Sequence, residues 1–129
     1  MKTLTIPKLK AKLQLVFNEF IRLRDKDKPC ISCGKPGYLQ AGHFYSVRMY
    51  DGLRFNEDNC HGECPRCNGF YDMHLLSYAA NIKDRIGGDE FIILQYLASA
   101  YKRDGYRWTR SELLEKLEYY KQKLNELKS

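Results

Sequence analysis

Cys30-Ile31-Ser32-Cys33 and Cys64-Pro65-Arg66-Cys67 decide how this chain reads. Two residues between paired thiols let a tight turn aim both sulfurs at one ion. Two such turns complete a tetrahedral four-cysteine site of the closed, structural kind that zinc occupies. Thirty residues separate the inner cysteines. That is more than a plain zinc ribbon needs, so the insert has room for a strand, an exposed loop and a returning strand. It carries Ala41-Gly42-His43-Phe44 and Asn59-Cys60-His61, and Asn68 directly follows the last cysteine.

On the N-terminal side, Thr5-Ile6-Pro7 marks a helix start, because proline in the first turn lacks only an N–H that would have no partner there. Leu9, Leu13, Val16, Phe17, Phe20 and Leu23 then recur at helical spacing and give one apolar stripe, with Lys8, Lys12, Arg22 and Arg24 on its flanks. The segment 25–29 ends in proline and breaks the helix. Gly34-Lys35-Pro36-Gly37 is a turn, and Tyr38 to Tyr45 reads as a strand ending at or just after His43. Residues 46–52 form a polar loop exposing Arg48 and Tyr50. Leu53-Arg54-Phe55 starts the return, Asn56-Glu57-Asp58 turns, and Asn59 to Glu63 runs extended into the second knuckle.

Beyond Cys67, a helix is expected from about 68–72 to about 85, stopped by Gly87-Gly88. Asp89 is the expected N-cap of the next helix, over 90–102, apolar at Phe91, Ile92, Leu94, Tyr96 and Leu97. Thr109-Arg110-Ser111-Glu112 has the form of a capping box. Leu113, Leu117, Tyr120, Leu124 and Leu127 then make a short heptad seam, suited either to the first helix or to a second subunit. The expected class is α+β, one domain over 1–129. A zinc-stapled hairpin core (29–86) sits between a basic N-terminal helix (1–28) and a C-terminal helical pair (87–129).

Composition narrows the function classes. Met1-Lys2-Thr3 leads into a lysine-bearing helix rather than an apolar leader, and no run is long enough to span a bilayer. A cytoplasmic location with no membrane partner is the expectation. In a reducing compartment, five cysteines favour metal ligation over disulfides, with Cys60 filling a strand position. The formal charge is +6, and four thiolates with one Zn2+ would bring it to roughly +4. Residues 1–28 hold eight Lys/Arg against three acids, 29–74 four against five, and 75–129 ten against eight. The N-terminal segment is therefore the electropositive face expected of a protein that meets phosphates.

The order His43, then Asn59 five residues before a Cys-x-x-Cys, then Asn68 just after it, resembles the HNH (ββα-metal) nucleases in a His-Asn-Asn form. Pro29-Cys30-Ile31-Ser32-Cys33-Gly34, Ala41-Gly42-His43, Leu53 to Asn59, Cys64-x-x-Cys67-Asn68, Arg85-Ile86-Gly87 and Arg107-Trp108-Thr109 further resemble the phage NinG family, also called Rap. The likeness runs over about 9–127. It implies a recombination nuclease acting on branched DNA such as Holliday junctions and D-loops. His43 would be the general base, since neutral imidazole can take a proton from water near pH 7. Asn59 would orient it by a hydrogen bond across the hairpin, and Asn68 would ligate a hard Mg2+ or Mn2+ ion.

One departure is Gly42, where HNH enzymes commonly carry an Asp or His ligand. The ion would then draw on His61, two residues past Asn59 on an extended strand, or on Asp72 or His74 in the following helix. Arg48, Arg54 and Arg66 are candidate phosphate grips near the scissile bond, with Lys8 and Lys12 on the basic helix. A junction-cutting enzyme presents two active sites, so a homodimer is expected. Two other readings stay open: a zinc-stapled DNA-binding or adaptor module without catalysis, which Gly42 favours, and a general HNH endonuclease acting on duplex DNA.

Overall fold

Thr5 opens the first helix, α1 (Ile6–Arg24), by accepting the Lys8 amide on its hydroxyl. The computed structural model describes residues 3–69 and 71–129, and the side chains of all of these but 71–74. The apolar stripe of α1 is buried at Leu9, Leu13, Phe17 and Phe20. Ile21 joins it, while Val16 and Leu23 are only partly covered. Opposite lies the last helix, α5 (Arg110–Lys128), which begins at the capping box: the Glu112 amide donates to Thr109 Oγ1, and the Thr109 amide donates to the Glu112 carboxylate.

The heptad seam of α5 is spent inside the chain. Leu113, Leu117, Tyr120 and Leu124 are buried against α1, with the Tyr120 ring edge-on to Phe17 at 5.0 Å. Arg110 at the head of α5 reaches the Leu4 carbonyl just before α1, and Lys128 at its end pairs with Glu19 late in α1. The two helices therefore run in the same direction. Leu127 stays 46% exposed, outside the seam.

Between the knuckles, β1 (Gln40–His43) pairs antiparallel with β2 (Cys60–Glu63) in the register Gln40↔Glu63, Ala41↔Gly62, Gly42↔His61 and His43↔Cys60. Side chains alternate across a strand, so the hairpin has two faces. One carries Ala41 and Cys60 into the α1–α5 core. The other carries His61 toward Tyr78 of α3 (Tyr71–Ile86), their ring centres 6.2 Å apart. A second core of Ile31, Leu53, Tyr78, Ile82, Leu94 and Ala98 lies beyond, built by α3 and α4 (Gly88–Asp104). The hairpin is thus the layer between two apolar clusters.

Three local expectations are corrected. Leu53-Arg54-Phe55 does not begin the returning strand: Asp51–Leu53 and Glu57–Asn59 are 3-10 turns, and pairing starts at Cys60. Leu53 is buried in the α3–α4 core and Phe55 in the α1–α5 core, so this segment spans the two clusters instead of forming a ladder. Asp89 does not cap α4; Gly87, at φ 94, does. On α4 the buried side chains are Leu94 and Ala98, whereas Ile92 and Tyr96 face outward. A short helix, α2 (Pro65–Gly69), precedes α3 and holds Cys67 and Asn68. Among the described residues no helix is long and apolar enough to cross a membrane.

Candidate functional site

The sulfurs of Cys30, Cys33, Cys64 and Cys67 all lie within 4.8 Å of one another, and Cys33 Sγ is 3.9 Å from Cys64 Sγ. A zinc–sulfur bond of about 2.3 Å places the sulfurs of a tetrahedral site roughly 3.8 Å apart. The cluster therefore fits a metal such as zinc. Backbone amides prepare it: Cys33 N–H and Cys64 N–H point at Cys30 Sγ (3.5 and 3.3 Å), and Cys67 N–H points at Cys64 Sγ (3.5 Å). The first knuckle closes through Gly34 N–H to Cys30 O at 2.9 Å, with Gly34 at φ +76, a conformation glycine adopts without steric cost. Cys60 stands apart, fully buried, with burial pushing its thiol pKa up.

His43 closes β1. Its Nε2 lies 2.9 Å from the Arg54 carbonyl oxygen, and since a carbonyl only accepts, Nε2 carries the hydrogen and Nδ1 the lone pair. Its ring sits 6.4 Å from that of Phe17, nearly parallel, on the α1 face of the hairpin. Burial lowers its pKa from the usual 6.5, against the opposing effect of the carbonyl, so the ring is held neutral.

Asn59 is fully buried and makes its side-chain hydrogen bonds elsewhere than to that ring. Its amide donates to the carbonyls of Tyr45 (3.0 Å) and Leu53 (3.2 Å) and accepts the Tyr45 N–H (2.8 Å). It ties both ends of the 45–53 loop, and through Leu53 steadies the neighbouring Arg54 carbonyl that fixes His43. Any orienting of His43 by Asn59 is thus indirect.

His61 is 3% exposed. The Arg24 guanidinium, which can only donate, faces its Nδ1 at 3.3 Å, so Nε2–H donates to the Asp58 carbonyl at 2.8 Å. Both nitrogens are engaged, which leaves no lone pair for an ion, and burial brings its pKa down to about 4. Arg24 also grips Asp25 bidentately (2.8 and 2.9 Å) and donates to the carbonyls of Glu57 and Cys60. Burial would raise the Asp25 carboxyl, but that guanidinium and the Gly62 amide hold it at about 2.

Asn68 lies on the other face. Its Nδ2 donates to Gln40 Oε1 at 3.0 Å, and its Oδ1 is turned toward Gly42. The adjacent Glu63 carboxylate, 5% exposed, accepts from Ser32 Oγ at 2.6 Å. An amide oxygen and a carboxylate are donors of the type that Mg2+ and Mn2+ take. Gly42, and not His43, faces Asn68, while the ring of His43 faces α1.

Residues 4–129 match the family model described as Bacteriophage Lambda NinG protein. The chain belongs to the NinG family. It is 38% identical over 117 residues to "Protein ninG" of Salmonella phage P22, covering 89% of this chain and 55% of the relative. The lambda counterpart from Escherichia phage lambda is 37% identical over 118 residues, covering 90% of this chain and 55% of that protein. The protein of the same name from Escherichia phage 933W is 36% identical over 118 residues, covering 90% and 56%. The chain thus spans about half the length of the curated relatives it matches. No solved structure matches it.

In this NinG chain, Lys8, Lys12, Arg48 and Arg66 are exposed. Arg54 is placed differently: its guanidinium is tied to Asp51 at 2.8 Å, and Lys10 shares that carboxylate at 2.9 Å. The side chains of Asp72 and His74 lie outside the described residues. Glu63 and the Arg24–Asp25 pair are the residues that motif reading passed over. Glu63 had a signal, since it lies two past His61 on the same strand face. The Arg24–Asp25 pair had none, because adjacent opposite charges at a helix end are ordinary.

Proposed function

We propose that this NinG-family chain is a metal-dependent DNA endonuclease that hydrolyses phosphodiester bonds in branched DNA such as Holliday junctions and D-loops. The supporting observation is the single-tautomer imidazole of His43, with Nε2–H spent on the Arg54 carbonyl and Nδ1 left as the base. Lowered basicity keeps that nitrogen unprotonated at neutral pH, ready to take a proton from water. Asn68 would help hold a divalent ion, which supplies positive charge to the phosphate oxygens as the bond breaks. Lys8, Lys12, Arg48 and Arg66 would hold the DNA backbone, and the four cysteines would hold zinc as a staple. A homodimer presenting two His43 sites suits a four-way substrate.

Labelled four-way junctions incubated with the chain and Mg2+ or Mn2+ test this. His43→Ala is expected to slow cleavage by at least about 100-fold. The wild-type rate should fall only as pH drops below 6.5, because the base is lost when the ring protonates. Absence of cutting, or cutting indifferent to His43→Ala, would sink the proposal. A linear duplex cut equally well would point to a general HNH endonuclease. A zinc-stapled DNA-binding module without catalysis is the second reading. The position of His43 against Phe17, on the opposite face from Asn68, favours it. It predicts binding that weakens with salt and no cleavage.

A further inference from the structure

The outer face of α4 is apolar at its middle and charged at its ends. Leu94 and Ala98 turn inward to the α3–α4 core, with Phe91 and Leu97 packed beside them. Ile92, Ile93 and Tyr96 are instead 64%, 50% and 71% exposed. Residues three and four apart share a helix face, so Asp89, Ile92 with Ile93, Tyr96, Ser99 with Ala100, and Arg103 fall in one stripe. Asp89, Ser99 and Arg103 are exposed and Ala100 is half-buried. The stripe is symmetric about Tyr96 in position and complementary in chemistry. Asp89 lies seven residues before Tyr96 and Arg103 seven after, with opposite charges. Ile92 and Ile93 lie four and three before, matched by the small Ala100 and Ser99 four and three after. A second α4 laid antiparallel across Tyr96 would therefore bring each of these pairs together twice, which is what a two-fold contact requires. Arg103 is held at 3.1 Å by its neighbour Asp104, but that pair is solvent-exposed and weak enough for Arg103 to be shared. The heptad seam of α5, the other candidate for a subunit contact, is buried against α1.

We infer that the outer face of α4 docks a second copy of this chain, antiparallel and centred on Tyr96, with Asp89 of each copy against Arg103 of the other. Isoleucines then fill the room left by Ser99 and Ala100, and the two helix dipoles oppose each other. The stripe is about 21 Å long. One helix pair of that length buries less than a standard interface, so the dimer is reversible and forms in the micromolar range. Use of the two copies on one four-way substrate rests on the nuclease reading above; the pairing of α4 does not.

Sedimentation velocity of the zinc-loaded chain without DNA, at rising micromolar concentrations, tests the inference. The wild-type chain is expected to pass from monomer to dimer. Tyr96→Glu puts two like charges on the two-fold axis and should weaken the dimer at least about tenfold. Asp89→Arg and Arg103→Asp each set like charges against each other, and each should weaken it about fivefold or more. Mixing these two single variants, or combining both changes in one chain, joins opposite charges again and should restore the dimer. That recovery cannot come from damage to the fold, so it stands even if Tyr96→Glu folds poorly. A chain that stays monomeric throughout, as it would if a different protein covers this face, overturns the inference. So does a dimer that Tyr96→Glu and the charge exchanges leave unchanged, since its contact then lies elsewhere. Dimerisation through α4 by a chain that cuts no junction would uphold the surface and remove only the nuclease reading.

Discussion

Two histidines of the hairpin, His43 and His61, differ in what their nitrogens have left to offer. His61 has none free, because Arg24 supplies a proton donor to Nδ1 and the Asp58 carbonyl takes the Nε2 hydrogen. That ring braces β2 and is held neutral by burial, with a pKa of about 4. The unfolded chain, where histidine titrates near 6.5, therefore takes up the proton first as pH falls. The contribution of His61 is complete above pH 6.5 and is lost toward pH 4, over a span on the order of 3 kcal/mol. Urea denaturation across that range should show a steeper loss in the wild-type chain than in His61→Gln; equal slopes would refute the assignment. Spacing in the sequence located His43, Asn59, His61 and Asn68. It did not reveal their hydrogen-bond partners, since Arg24 and Arg54 come from elsewhere in the chain and act through contacts no local pattern encodes.

At the scale of elements, α1 and α5 share one core although the whole hairpin and the α3–α4 pair lie between them in sequence. Leu117 belongs to that core, and Leu117→Ala is expected to cost about 2–4 kcal/mol in urea unfolding. A cost below about 0.5 kcal/mol would mean that α5 is not packed there. Periodicity in the sequence marked both helices, and Thr109 with Glu112 marked the start of α5, because helix stripes and capping boxes are local signals. The returning strand was misplaced because Leu53 and Phe55 are apolar for the sake of two different cores. A strand-like run of apolar residues reports burial and does not say against which partner.

Taken whole, the molecule joins its two apolar layers through a hairpin whose ends are clipped by four sulfurs. Removing the metal with a strong chelator under reducing conditions should expose Cys30, Cys33, Cys64 and Cys67 to a thiol reagent and lower Tm, with recovery on adding zinc. Cys60, fully buried in the α1–α5 core, should react far more slowly. Five thiols reacting together would mean that this core depends on the metal. The sequence alone determined the paired cysteine knuckles, the terminal helices and the family, because each is written in short-range spacing. Only the tertiary structure decided that α5 lies along α1, that His43 and Asn68 occupy opposite faces, and that Glu63 fills the space a side chain at Gly42 would use. Those outcomes depend on strand register and on which surfaces are buried together, and both are set by contacts between residues distant in the chain.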